Sequence, residues 1–98
     1  MKHFYIEITY TAPLEVVAET LGVHRDFLQT GYDQGILLLS GPMNPRTGGF
    51  IVGRGDSLEE FQAFMADDPF LKKNVASYRF VEFVPVKHQP FLQEWFGQ

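Results

Sequence analysis

The chain contains no cysteine, which excludes disulfide frameworks and thiolate metal centres and is compatible with a reducing compartment. It also lacks a basic cluster. Lys+Arg number 8 against 12 Asp+Glu, for a formal net charge of -4, so nucleic acid is not an expected partner. No apolar run approaches the length of a membrane span, and the start, Met1-Lys2-His3-Phe4, has no apolar signal core. No membrane association is expected, and a soluble cytoplasmic protein is the default reading. There is no GxSxG elbow, no phosphate loop, no dinucleotide fingerprint and no low-complexity segment.

What is present fits one domain spanning residues 1–98. A chain this short has a modest core. Yet 45% of the residues are hydrophobic and ten are phenylalanine, which points to apolar surface shared between subunits.

Residues 3–10 alternate, with Phe4, Ile6, Ile8 and Tyr10 on one face, and read as a strand. Thr11, Pro13 and Glu15 mark a helix start: a hydroxyl cap, a first-turn proline and an acid near the positive end. Val17, Leu21, His24, Leu28 and Gly31 then form an inward stripe, with Gly22 as a possible break between two helical segments. Gly35 suits the helix C-terminus, and residues 36–40 read as a buried strand running into Ser40-Gly41-Pro42. A loop over residues 43–49 carries Arg46, and residues 49–54 form a strand antiparallel to the one before. Ser57 with Glu60 is a capping-box pattern opening a helix that buries Leu58, Phe61 and Met65. One further turn is expected over residues 69–73, and a last strand over residues 77–86.

The order is β-α-β-β-α-β, an α+β ferredoxin-like pattern with a four-stranded antiparallel sheet and both helices on one face. The last strand is apolar on both sides, so the open sheet face is expected to be covered by a second copy, giving a homodimer. The tail, residues 88–98, carries Phe91, Leu92, Trp95 and Phe96 and is expected to pack on that partner.

His24 stands where the stripe asks for an apolar residue. An imidazole there is either a core histidine satisfied by a backbone carbonyl or an acid–base group. The acidic partner in reach is Asp68, which Pro69 biases to an extended conformation. It would orient His24 in a dyad; alternatively, an aspartate before proline simply caps a short helix. Ser40, Gly41 and Pro42 either form a turn or let a ligand approach the backbone. Arg46 either is solvated or supplies a cation. His3 and His88 lack a third ligand, so no metal site is expected. Arg54-Gly55-Asp56 is a chance adhesion tripeptide.

His24, Phe27-Leu28, Gly35-Ile36-Leu37-Leu38, Ser40-Gly41-Pro42, Gly49-Phe50, the capping Ser57-Leu58-Glu59-Glu60 and Asp68-Pro69-Phe70 together resemble the YciI-like (YCII-related) family. The resemblance covers nearly all the chain, to about the last strand. It implies a dimeric α/β barrel in which His24 and Asp68 face an active-site pocket; Ser40, Gly41, Pro42, Arg46 and Phe70 are then the substrate-binding candidates. One departure stands out: family members often carry arginine three residues before the histidine, where this chain has Leu21.

The expected function is a small cofactor-free enzyme. A His24–Asp68 pair would act on a small polar or lactone-like metabolite as an isomerase, lyase or hydrolase. The rival is a non-catalytic small-molecule-binding or accessory domain. A third reading, an assembly-only dimer, predicts no pocket around His24.

Overall fold

Phe4, Ile6 and Ile8 are all buried, while Tyr5, Glu7 and Thr9 between and after them are not, so the first strand, β1 (Lys2–Tyr10), presents one apolar face to the core. The computed structural model describes residues 1–97. After β1 come α1 (Leu14–Asp33), β2 (Leu37–Pro42), β3 (Gly48–Gly55), α2 (Leu58–Met65), the single turn α3 (Pro69–Lys72) and β4 (Ala76–Phe83). The four strands form one sheet in the order β2-β3-β1-β4, antiparallel at every pairing. This is the ferredoxin-like α+β arrangement. The core lies on one side of the sheet, where Phe4, Ile6 and Ile51 meet Val17 and Leu28 of α1 and Phe61 and Met65 of α2.

Helix α1 is continuous through Gly22, contrary to the expected break. A Cβ at Gly22 would meet nothing within 4 Å, so this is a solvent-facing position where glycine weakens the helix without interrupting it. The N-cap is Pro13 rather than Thr11. The Thr11 hydroxyl turns instead toward the carbonyl of Asn74 at 3.4 Å, and the Pro13 carbonyl accepts from Val16 and Val17 at 2.9 and 3.1 Å. At the other end Gly35 has φ +72°. The Ile36 amide donates to Gly31 and the Gly35 amide to Tyr32, at 2.8 and 3.0 Å, the crossed pair of bonds that closes a helix on a left-handed residue. In α2 the Ser57 hydroxyl accepts from the Glu60 amide at 3.1 Å, so the cap that the sequence indicates is formed.

Three further expectations are corrected. In β2 only Leu37 is buried; Leu39 is 51% exposed, because β2 is the edge strand and its register shifts between Leu37 and Leu39. Leu58 in α2 is half-buried rather than buried. Strand β4 ends at Phe83 rather than Val86, since its partner β1 is used up where Phe83 pairs with His3; Val84 and Val86 are exposed.

The tail continues through a 3₁₀ turn (Pro90–Leu92) into a last turn, α4 (Gln93–Phe96), and folds onto its own sheet. The Arg54 guanidinium lies 3.7 Å above the Trp95 ring and also donates to the Trp95 carbonyl at 3.0 Å and to that of Gly35 at 2.9 Å. Phe96 stands 4.9 Å from His3. The tail thereby covers the His3 end of the outer sheet face, and burial, with the N-terminal ammonium and Arg54, holds the His3 imidazole below its ordinary value. The rest of that face, with Tyr5 and Phe50 stacked at 5.1 Å, Val52 and Val81, stays partly open.

Candidate active site

Asp68 is a fully buried carboxylate, at 0% exposure. Leaving water is expensive for such a group unless donors replace the lost solvent. Three do. Its Oδ1 accepts from His24 Nδ1–H at 2.8 Å and from the Phe70 amide at 2.9 Å, and its Oδ2 accepts from the Tyr78 hydroxyl. The local cause is sequential: Pro69 keeps Asp68 extended, at φ -62° and ψ 125°, which turns the side chain back over the first turn of α3. The cap and the histidine partner, posed as alternatives by the sequence, are therefore one and the same carboxylate.

His24 comes from the middle of α1 and is itself buried. Its ring lies flat on Phe70, with centroids 3.7 Å apart and planes 2° from parallel. With Nδ1 donating to Asp68, the ring is held in one tautomer and one orientation, and Nε2 makes no hydrogen bond among the described residues. The backbone-satisfied core histidine is excluded by this geometry.

Tyr78 is the first of the residues that the sequence reading missed. Burial pushes its phenol well above the ordinary range, and the Asp68 charge and hydrogen bond, then Tyr10, push the same way. At neutral pH it is accordingly a donor to Asp68. The available signal was its place on β4, between Ala76 and Phe80 on the inward face.

A cavity of about 150 Å³ opens beside His24, between α1 and the ends of β1, β2 and β3. Ser40, Gly41, Pro42, Arg46 and Phe70 all line it, so the structure brings together every proposed binding residue. Asp68 does not line it and stands behind the His24 ring. Leu21 lines the cavity and is half-buried rather than part of the core. Arg25 also lines it, a second residue not singled out beforehand; its signal was the helical spacing of four from Leu21. The Ser40 hydroxyl lies 2.6 Å from that of Tyr32, a third unforeseen neighbour. A Cβ at Gly41 would meet nothing within 4 Å.

The other candidates lie elsewhere. No group of three potential metal-ligating side chains occurs among the described residues; the Phe96 ring stands against both His3 and His88, 4.9 and 5.3 Å away. Arg54 of the adhesion-like tripeptide is occupied by the tail. No helix is long and apolar enough to cross a membrane among the described residues.

A family model described as the YCII-related domain matches residues 1–84. No curated protein matches the sequence significantly. Among solved structures, the chain is similar to 5-chloro-2-hydroxyhydroquinone dehydrochlorinase (TftG) from Burkholderia phenoliruptrix AC1100, in complex with 2,5-dihydroxybenzoquinone. The TM-score is 0.72 at 20% identity, covering 91% of this chain and 97% of the other, a likeness of fold.

Proposed function

The chain belongs to the YCII-related family, and from that premise we propose that it is a small acid–base enzyme acting on a single-ring carbonyl compound. The observation that carries the reading is the histidine whose Nδ1 is tied to a buried carboxylate at 2.8 Å while Nε2 is left unengaged on a residue lining a cavity. That is the geometry of a general base held in one tautomer by its partner.

In the proposed step Nε2 takes a proton from the carbon next to a ring carbonyl. The imidazolium formed is stabilised by the Asp68 charge behind it. The electron pair left on carbon moves into the ring as an enolate. It is then either reprotonated at another carbon, giving isomerisation, or expels a leaving group from the adjacent carbon, giving elimination. Ser40, placed by Tyr32, and the Gly41 backbone are the proposed holders of the ring oxygens. The step draws on the chain's own residues alone. Support comes also from the similar structure, a dehydrochlorinase with a one-ring quinone bound. Hydrolysis of a lactone is a neighbouring outcome of the same base activating water.

The rival is a binding domain, and the dual role of Asp68 favours keeping it in view: the carboxylate has a structural reason to exist as a helix cap. The test is deuterium exchange from heavy water into a panel of small cyclic ketones, lactones and quinones, with elimination products followed alongside. Wild type should exchange or eliminate. His24→Ala should abolish this, and Asp68→Asn should slow it by about 10²-fold or more, the scale of general acid–base catalysis. Ring compounds that bind without any His24-dependent exchange or turnover would leave the binding domain standing instead.

A homodimer through the outer sheet face belongs to the same proposal. The partly open Tyr5, Phe50, Val52 and Val81, with the exposed Leu39 at the edge, are its support.

A further inference from the structure

The chain has four arginines and a net charge of -4. Two of the four are engaged. Arg79 pairs with Glu7 at 2.8 Å, and Arg54 holds the Gly35 and Trp95 carbonyls. The other two, Arg25 and Arg46, make no ion pair or hydrogen bond among the described residues, and both line the His24 cavity. No aspartate or glutamate lines it. An acidic protein thus gathers its two unengaged guanidinium groups at one cavity and keeps its carboxylates off the walls.

They arrive from different elements. Arg25 follows His24 on α1 and stands one helical turn beyond Leu21, on the same side of the helix. Arg46 sits on the loop between β2 and β3. Beside His24 and the Ser40 hydroxyl, much of the remaining wall is apolar, with Ile8, Leu21, Leu28 and Phe70 among its residues. The volume, about 150 Å³, matches a pocket known to take one benzene ring.

We propose that the cavity selects single-ring anions, with the ring on the apolar wall beside His24 and the anionic oxygens held by Arg25 and Arg46. Planar guanidinium groups suit a carboxylate or a ring oxyanion because they donate two parallel hydrogen bonds. Arg25 sets the charge preference, because α1 fixes its backbone next to the reacting imidazole. Asp68 does not oppose the anion: its charge lies behind the His24 ring and is satisfied by three donors. This inference rests on the His24 cavity being the reactive site.

The test uses the full chain and three single-ring probes of similar size, benzoate, benzamide and benzylamine, followed by NMR. Benzoate should shift the signals of His24, Leu28 and Phe70, with benzamide weaker by about tenfold or more and benzylamine not binding, since only the anion meets charge-assisted donors. Arg25→Gln should weaken benzoate by about tenfold, a 1.4 kcal/mol loss, and leave benzamide unchanged. Arg46→Gln should act in the same direction. Lys73→Gln, an exposed change away from the cavity, should alter neither. Benzamide binding as tightly as benzoate, Arg25→Gln without effect, or no probe binding at the cavity would each overturn the inference. His24-dependent exchange is scored separately, so a loss of charge selection with exchange intact removes this inference and leaves the acid–base reading in place.

Discussion

A buried carboxylate facing three donors is a small closed system, and removing one member shows what the others were balancing. Tyr78→Phe strips the donor from Asp68 Oδ2 and leaves that oxygen unsatisfied, which costs about 1–3 kcal/mol in a buried setting. Chemical denaturation of the two proteins at neutral pH measures it directly. The variant should also respond differently to alkali. The Tyr78 phenol is held above its ordinary value, so the unfolded chain releases this proton first; stability from it is complete below about pH 10 and drains away as pH rises beyond that. Tyr78→Phe should flatten that alkaline decline, and an unchanged slope would contradict the assignment. At this scale the sequence displayed His24 and Asp68 because each breaks a local pattern: an imidazole in an apolar stripe, and an acid before proline in a phenylalanine-rich stretch. Tyr78 breaks none. A tyrosine in a strand is ordinary, and only the packing of β4 against Asp68 reveals its purpose. Arg25 was hidden for another reason, since an arginine after a buried residue reads as the solvent side of a helix.

Helix α1 shows how an element can be read correctly in period and wrongly in extent. Gly22 lowers helix propensity locally, but twenty residues with one buried stripe outweigh a single weak position. The helical backbone at Gly22 is right-handed and the space beside it is empty. Gly22→Ala should therefore stabilise the protein by about 0.5–1 kcal/mol, visible as a rise in Tm of roughly 4–8 °C per kcal/mol in a domain of this size. A fall in Tm would show that something covers this face. The ends of β4 and β2 were misjudged because strand limits are set by partners. Residues 84–86 have strand composition but no neighbour left on β1. Leu39 has core composition, but it lies on an edge strand. The caps at Ser57 and Gly35 were legible because each needs only local chemistry.

For the whole molecule, the sequence indicated a sheet with two apolar faces, and the fold accounts for part of the second one within the chain. Trp95 and Phe96 cover the end carrying His3 and Arg54, where a partner had been the expected cover. What stays partly open is the patch around Tyr5, Phe50, Val52 and Val81. Under the proposed dimer, Val81→Glu should place a charge in the interface and convert the protein to monomers in sedimentation or light scattering, without altering the His24 cavity, which Val81 does not line. A wild-type protein that is monomeric at every concentration would refute the dimer. Asp68, finally, bears on how such chains are compared across a lineage. One oxygen both starts α3 and steers the imidazole, so selection for folding alone would preserve the aspartate long after any chemistry had lapsed. Under the acid–base proposal, descendants that have abandoned catalysis should keep Asp68-Pro69-Phe70 and drift first where the fold makes no demand. Gly41, with empty space where a side chain would go, and the unpaired Arg25 are the positions whose persistence would mark a working lineage.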